Sequence, residues 1–365
     1  MISDFIANLV KRIDTFLMGC IFFACIIGLL VLFSASGQDW SRVFSQFINM
    51  VVALALMWGV ANIPPHWLER LALPLFLSGL FLLVCVALFG EISHGARRWL
   101  NLGFARIQPS ELMKVAMPMM LAWYFARREE NLKSVDYAIA ALLLIVPVGL
   151  VMKQPDLGTS LIILASGFYV LYLAGLSWKI LLGGAGLIGV MAPILWTMLH
   201  DYQRRRIEIL FDPSQDPLGA GYHTIQASIA LGSGGLTGKG WLNGTQSQLD
   251  FLPERTTDFV IAVFGEEFGL IGNILLLALF SLIIIRGFVI SARAHNTFCR
   301  LLAGSIALTF FTYVFVNIGM VSGILPVVGV PLPFISYGGT SLVTVLLGLG
   351  ILMSISTNKG LMSSS

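Results

Sequence analysis

The chain alternates long apolar runs with short polar segments, and this alternation predicts membrane-spanning helices. About 20 apolar residues in a helix cross the hydrocarbon core of a bilayer. Ten runs approach or exceed that length, and their boundaries are good to a few residues. The predicted spans are 14–35, 45–64, 70–90, 110–126, 135–152, 157–175, 178–199, 258–286, 300–322 and 339–357.

The residues before the first span show an amphipathic pattern. Their apolar positions recur at helical spacing, which predicts a short helix on the membrane surface, with Lys11 and Arg12 at the lipid headgroups. The first span itself is longer than the roughly 7–15 apolar residues of a cleavable signal peptide, so we expect it to be retained. The apolar face comprises Ile2, Phe5, Ile6, Leu9, Val10 and Ile13.

Composition agrees with a single integral membrane domain. Hydrophobic residues make up 57% of the chain and charged residues 11%, whereas soluble domains carry about 25% charged residues. The predicted fold class is all-α: one domain over residues 1–365, with a large loop at 200–257 between the seventh and eighth spans. The net charge of +3 gives no indication of a nucleic-acid partner.

The Lys and Arg residues in the loops predict the orientation. Short cytoplasmic loops are enriched in these residues, whereas long loops are translocated regardless of their charge. With the N-terminus inside, the short inner segments hold most of the Lys and Arg outside the 200–257 loop. We therefore expect both termini in the cytoplasm and this large loop on the outer face of the membrane.

A glycine-rich stretch, GSGGLTGKGW at 232–241, superficially resembles a phosphate-binding loop. A P-loop needs a glycine five residues before its G-K pair and a hydroxyl residue after it. Ser233 and Gly240 occupy those positions, and the predicted outer location offers no ATP. We expect no nucleotide site; the glycines instead favour tight turns and close backbone approach.

Ionisable residues at membrane depth are costly and usually functional. Glu111 and Lys114 share one helical face at the start of the fourth span, either as a structural ion pair or as part of a site. Asp156 precedes the sixth span and Asp258 opens the eighth. Each could be a helix cap or a functional carboxylate. Lys153 lies beside Asp156 in the tight connection QPDLGTS.

A local cluster of basic residues also lies on the predicted outer side, where topology rules do not require positive charge. Three consecutive arginines include Arg204, and Arg255 lies three residues before Asp258. Arginine binds phosphate in a bidentate manner, so these residues predict a site for an anionic lipid headgroup; a solvated charged face is the alternative. Between the last two spans, GILPVVGVPLPFISYGG is too rich in proline for a helix and reads as a buried, re-entrant segment.

Other catalytic signatures are absent from the sequence. The five histidines and four cysteines show no metal-ligand spacing, so no protein metal site is predicted, and no G-x-S-x-G elbow occurs. Glu266 and Glu267 lie about two turns into the eighth span without an obvious partner. The pattern leaves a reaction that depends on carboxylates.

Four segments carry a resemblance to a known family. QPDLGTS, the loop from DPLGAGYHT to PERTTDF, GEEFGLIG and GILPVVGVPLPFISYGGTS closely resemble the SEDS family (shape, elongation, division and sporulation), in the same order along nearly the whole chain. The resemblance implies a ten-span peptidoglycan glycosyltransferase of the bacterial cytoplasmic membrane. It would polymerise lipid II on the periplasmic face during cell elongation.

The resemblance also implies residue roles and partners. The family's essential aspartate, after the P-E-R motif, maps onto Asp258, and its paired acidic and basic residues map onto Glu111 and Lys114. A class B penicillin-binding protein is expected near spans eight and nine, together with other elongation proteins.

The expected chemistry makes Asp258 a general base. Lys114, Arg204 and Arg255 would stabilise the pyrophosphate, and a divalent cation, Mg or Mn, could be shared with a carboxylate. Lys153 and Asp156 are the remaining candidate substrate-binding residues. Three alternatives stay open: a division-specific polymerase of the same family, a lipid II flippase, and a scaffold that only recruits the penicillin-binding protein.

Overall fold

The structure is a computed structural model that describes residues 13–93, 96–101, 106–198, 201–212, 220–249, 251–252 and 254–358. The predicted surface helix, from Ile2 to Ile13, lies outside these ranges except for its last residue. Each of the ten predicted spans coincides with a helix. These helices are α1 (Thr15–Ala35), α2 (Trp40–Ala61), α3 (Pro65–Phe89), α4 (Pro109–Ala126), α5 (Ser134–Met152), α6 (Leu157–Leu173), α7 (Trp178–Met198), α11 (Val260–Ala292), α12 (Thr297–Val321) and α13 (Gly339–Thr357).

Capping chemistry explains where the first three helices begin. The Asp14 and Asp39 side chains accept hydrogen bonds from backbone N–H groups in the first turns of α1 and α2. Pro65 occupies the first turn of α3, where its missing N–H costs nothing. Because these signals lie outside the apolar runs, α2 and α3 start five residues earlier than hydropathy alone predicts.

Seven of these helices are long and apolar enough to cross a membrane: α1, α2, α3, α5, α11, α12 and α13. Helices α6 and α7 are apolar but contribute shorter apolar segments. Helix α4 carries Glu111 and Lys114 near its start, which lowers its mean hydropathy. The polytopic all-α class is confirmed, while the count of ten spans stays a prediction.

The connections contain structure that hydropathy did not predict. Three short strands, β1 (Glu91–Ser93), β2 (Ala96–Asn101) and β3 (Arg106–Ile107), form a small antiparallel sheet after α3. The large loop contains α8 (Asp201–Phe211), α9 (Ala220–Ser233) and α10 (Thr245–Gln248). These elements are mostly polar or short, so no long apolar run announces them.

Helix α12 lies at the centre of the bundle. It packs against α4, α6, α11 and α13. Of the residues in its most apolar 18-residue stretch, 67% are buried. Helix α13 packs closely against α2 and is buried to the same extent. At one end of the bundle the Asp14 carboxylate binds Arg286 of α11 through Oδ2, at 2.5 Å from Nη2 and 3.0 Å from Nε, and accepts a hydrogen bond from Ser356 of α13.

Residues 322–338 form a non-helical segment. Its second half, from Val330 to Ser336, is largely buried in the protein, as the proline-rich pattern predicts, whereas Ser322, Ile324 and Gly329 in its first half are exposed. Leu332, Phe334 and Ile335 are each at most 1% exposed. Its polar backbone finds partners within the protein. The Gln46 side chain donates to Ser336 O and accepts from Gly338 N, both at 3.3 Å.

The glycine-rich stretch meets a break in α11. The helix is interrupted at Gly269, whose φ is +67° and ψ −163°. Backbone N–H groups of Lys239 and Gly240 donate to the carbonyls of Glu266 and Glu267 at 3.0 Å. A Cβ on Gly238 would lie 2.1 Å from the Glu267 oxygen, so this stretch serves close backbone approach.

Gly238→Ala should therefore destabilise the protein. Gly238 has a φ of +79°, and strain in that region alone costs about 1–3 kcal/mol of unfolding free energy. Gly232→Ala is the matched control, since nothing lies within 4 Å of its added Cβ. Thermal unfolding in detergent measures both variants. Equal stability of the two would contradict the close packing of Gly238 against the backbone of α11.

Candidate active site

Asp258 lies at the entrance to α11, two residues before the helix begins, and is half-buried. The N-cap position belongs to Phe259, which makes no side-chain cap hydrogen bond. Asp258 therefore does not cap α11 in the structure. A Cβ on Gly329 would lie 3.5 Å from Asp258 Oδ2, so the 322–338 segment forms one wall beside the carboxylate.

The backbone around Asp258 is held by three buried or half-buried groups. Asn317 Nδ2 donates to Asp258 O at 3.0 Å. Ser336 Oγ donates to Thr257 O at 2.6 Å, and the Tyr337 N–H donates to Thr256 O at 2.7 Å. These bonds tie the start of α11 to α12 and to the 322–338 segment.

The electrostatic surroundings make Asp258 an unusual carboxylate. Burial, helped by the negative charge of Glu254, raises its pKa from 3.8 to about 6, against an opposing effect of Arg206. A carboxylate with such a pKa accepts a proton near neutral pH much more readily than an ordinary aspartate.

Glu111 and Lys114 form the predicted ion pair, with Lys114 Nζ 2.6 Å from Glu111 Oε1. The Lys114 side chain is 5% exposed and that of Glu111 14%. Thr344 Oγ1 of α13 donates to Glu111 Oε2 at 2.7 Å, and the Lys114 ammonium lies 5.6 Å from the centre of the Tyr313 ring. Neither Thr344 nor Tyr313 carries a sequence signal that would have identified it.

A deep groove with a volume of about 880 Å³ opens beside this pair, between α2, α3, α4 and α13. Its wall is overwhelmingly apolar, with residues such as Leu71, Leu75 and Val343. Arg106, Gln108 and Glu111 supply polar groups among the lining residues. The groove is thus suited to a long apolar chain that ends in a polar group.

Asp156 caps α6, since its Oδ1 accepts from Thr159 N at 3.1 Å, which supports the capping interpretation. Its Oδ2 also accepts from Gln108 Nε2 at 3.2 Å. Arg98 of β2 donates to Gln154 O at 3.2 Å and to Pro155 O at 2.5 Å. The sheet is therefore anchored to this connection, where Lys153 is exposed.

The arginines of the large loop occupy different environments. Arg204 donates to the carbonyls of Trp196 and Thr197, at 2.9 and 2.6 Å, which ties α8 to the end of α7. Arg255 is half-buried, with Nη2 3.9 Å from a Cβ placed on Gly37 in the α1–α2 turn. Arg206 is the arginine whose charge acts on Asp258, and sequence reasoning did not separate it from its neighbours.

Glu266 and Glu267 both have partners that their sequence context did not reveal. Glu266 is 0% exposed and accepts from Lys239 Nζ at 2.7 Å and from Thr245 Oγ1 at 3.0 Å. Glu267 accepts a hydrogen bond from Ser34 Oγ of α1. Both carboxylates thus hold the large loop and α1 against the broken helix.

A scan of the chain against family models matches residues 14–360 to the FtsW/RodA/SpoVE model, described as cell cycle protein. Among curated proteins, the chain is 52% identical over 337 residues to "Peptidoglycan glycosyltransferase MrdB" of Escherichia coli K12, covering 92% of this chain and 91% of that one. It is 35% identical to "Probable peptidoglycan glycosyltransferase FtsW" of Geobacter sp. strain M18, covering 95% and 98%.

Two solved structures share the fold. One, titled "Structural coordination of polymerization and crosslinking by a peptidoglycan synthase complex", matches with a TM-score of 0.83 and 33% identity, covering 94% of this chain and 97% of that one. The other is the crystal structure of the rod shape determining protein RodA of Thermus thermophilus, with a TM-score of 0.71 and 30% identity, covering 94% and 96%.

The buried pair should behave as one unit in stability measurements. Lys114→Met or Glu111→Gln alone leaves an uncompensated charge, which costs about 3–5 kcal/mol. The double variant should lose much less than the sum of the two, as measured by unfolding in detergent.

Arg106→Met is the control, because its pair with Glu91 spans 3.8 Å and has exposed side chains, and such pairs contribute at most about 1 kcal/mol. Additive losses at Glu111 and Lys114 would contradict the pairing.

Proposed function

The chain belongs to the FtsW/RodA/SpoVE family of cell cycle proteins, and from that membership we propose that it is a peptidoglycan glycosyltransferase that polymerises lipid II during cell elongation. The observation that carries the proposal is Asp258, a half-buried carboxylate whose pKa is raised to about 6, held by backbone hydrogen bonds at the mouth of a helical bundle. We place this site on the periplasmic face of the cytoplasmic membrane, with both termini in the cytoplasm, because of the charge distribution in the loops.

Asp258 acts as the general base in this proposal. It takes the proton of the acceptor sugar's 4-hydroxyl as that oxygen attacks the anomeric carbon of the donor, and the bond from this carbon to undecaprenyl pyrophosphate breaks with inversion. The leaving group already carries the required free energy, so no nucleotide is needed. A base is most effective when its pKa is near the working pH, which the environment of Asp258 provides.

The apolar groove beside Glu111 holds the polyprenyl chain. Its polar rim, with Arg106 and Gln108, faces the lipid headgroup. We retain Glu111, Lys114, Lys153, Asp156, Arg204 and Arg255 as candidate substrate-binding residues. Lys114 and Asp156 also have the structural partners described above, so their roles include holding the site together.

Oxygen ligands would suit a divalent cation such as Mg²⁺ or Mn²⁺. Among the residues that the structure describes, no group of three His, Cys, Asp or Glu side chains could hold a metal ion. A cation would therefore share a single carboxylate of the protein and take its remaining ligands from the substrate. Such a cation would neutralise charge on the departing pyrophosphate.

The elongation role is preferred to the division role on sequence similarity. The chain is 52% identical to the MrdB protein of Escherichia coli and 35% identical to the FtsW protein of Geobacter sp. strain M18. A lipid II flippase is less favoured, because the described ionisable groups that the proposal uses lie at helix starts and in connections, whereas transporters place them near the midplane.

A second groove, lined by residues of α11 and α12, is a candidate binding site for a helix of a partner protein. It is lined by apolar side chains that include Leu277, Phe280, Phe311 and Phe315, and Phe315 is 51% exposed. Within the bilayer, association depends on such shape complementarity and on small residues, which Ser281 and Gly319 provide here. We propose that the transmembrane helix of a class B penicillin-binding protein occupies it, with other elongation proteins assembling around this pair.

Asp258→Asn should abolish lipid II polymerisation by the purified complex, because asparagine keeps the size of the side chain but cannot accept the proton. Thermal stability and co-purification with a transpeptidase-dead partner should not change. Wild-type polymerisation by this variant would exclude Asp258 as the base.

The rate of polymerisation should depend on pH through Asp258. The base works in its ionised form, so the rate should fall about tenfold per pH unit below about 6. Glu254→Gln removes the negative charge that helps raise the pKa of Asp258, and should shift the acidic limb to lower pH. An unchanged profile in this variant would contradict the electrostatic assignment.

Ser281→Trp should fill the partner groove and reduce co-purification of the class B penicillin-binding protein. Ile285→Trp is the control, because Ile285 is 57% exposed on the same helix but does not line the groove. Equal retention of the partner by both variants would place the interface elsewhere.

A further inference from the structure

Helix α12 carries two buried side chains with polar groups, one helical turn apart. Tyr313 is 3% exposed and Asn317 is 0% exposed. Residues four apart lie on the same helical face. Tyr313 contacts the side chain of Lys114, and Asn317 contacts the main chain of Asp258, so one face of one helix reaches both parts of the candidate site.

The Asn317 side chain connects two backbone segments through hydrogen bonds. Its Nδ2 donates to Asp258 O at 3.0 Å and to Val330 O at 2.7 Å. Carbonyl oxygens only accept hydrogen bonds, so the amide nitrogen must face them. Within the described residues the Asn317 Oδ1 atom is buried without a hydrogen-bond partner. The side chain is thus engaged through its two donors alone.

The Tyr313 ring packs against the ammonium of Lys114, which lies 5.6 Å from the ring centre. A small cavity of about 40 Å³ lies at this contact, and Thr309 and Thr344 also line it. The ring face attracts the cation, while Glu111 Oε1 binds it at 2.6 Å. Lys114 is therefore held between a carboxylate of its own helix and an aromatic ring of α12.

We propose that Asn317 and Tyr313 are positioning residues, through which α12 sets the main chain at Asp258 relative to the Glu111–Lys114 pair. This inference rests on the proposed role of Asp258 as the base. Proton transfer requires the acceptor and donor atoms to be about 3 Å apart. A displacement of about 1 Å from a distant mutation can cost on the order of 10²-fold in rate.

Asn317→Leu tests these two hydrogen bonds, because leucine has a similar size and no hydrogen-bond donor. The rate at saturating lipid II should fall on the order of 10²-fold, with the KM for lipid II unchanged. Ser305→Ala is the control: Ser305 lies on the same helix, is 0% exposed and donates to Ser166 O at 2.7 Å. It should lower thermal stability but leave the saturated rate unaffected.

A second pair of variants separates the ring of Tyr313 from its hydroxyl. Tyr313→Phe keeps the aromatic face over Lys114 and should polymerise at the wild-type rate. Tyr313→Leu removes the ring and should lower the saturated rate without changing the KM for lipid II. A wild-type saturated rate in Tyr313→Leu would overturn the role of Tyr313.

A wild-type saturated rate in Asn317→Leu, or a matching loss in Ser305→Ala, would overturn the positioning role of Asn317. If Asn317→Leu does not fold, Asn317→Gln keeps the amide and displaces it by one methylene; a wild-type rate there would have the same meaning. Asp258→Asn, measured in parallel, separates the two hypotheses. If Asp258→Asn is active, the hypothesis that Asp258 is the base is wrong. If Asp258→Asn is inactive and Asn317→Leu is fully active, only the hypothesis that Asn317 is a positioning residue is wrong.

Discussion

Buried backbone that is not helical must find its hydrogen-bond partners inside the protein, and the architecture depends on this constraint. Unpaired N–H and C=O groups cost several kcal/mol each in a hydrocarbon environment. The chain meets the constraint twice, at residues 322–338 and at the break in α11. In the first case the side chains of Gln46, Asn317 and Ser336 supply partners. In the second, the glycine-rich stretch supplies backbone groups.

Asp258 lies in the chain between the two places where these hydrogen-bond partners bind. The 322–338 segment binds the main chain just before α11, and the glycine-rich stretch binds the same helix at Glu266 and Glu267, about two turns later. The position of the carboxylate is therefore set by the backbone around it. This leaves the side chain free to respond to burial and to Glu254, which together raise its pKa.

Three other buried charges are stabilised by ion pairs. Asp14, Lys114 and Glu266 each face a partner of opposite charge within 2.7 Å, which offsets the cost of removing them from water. Under the proposed function, the helices that hold Asp258, α11 and α12, also present the groove for the partner protein. Binding of the partner would thus act on the two elements that position the base.

The sequence by itself determined the helical segments, because apolar runs of membrane length leave few alternatives, and it singled out Asp258 and the Glu111–Lys114 pair, because charges at membrane depth are rare. Only the tertiary structure decided that Asp156 is a cap while Asp258 is not, since both precede a helix in sequence. It also decided the partners of Glu266, Glu267 and Asp258, which come from residues far away along the chain. Hydropathy reports the cost of burying each residue, whereas hydrogen-bond partners depend on which helices meet, and this is set by packing that no local pattern encodes.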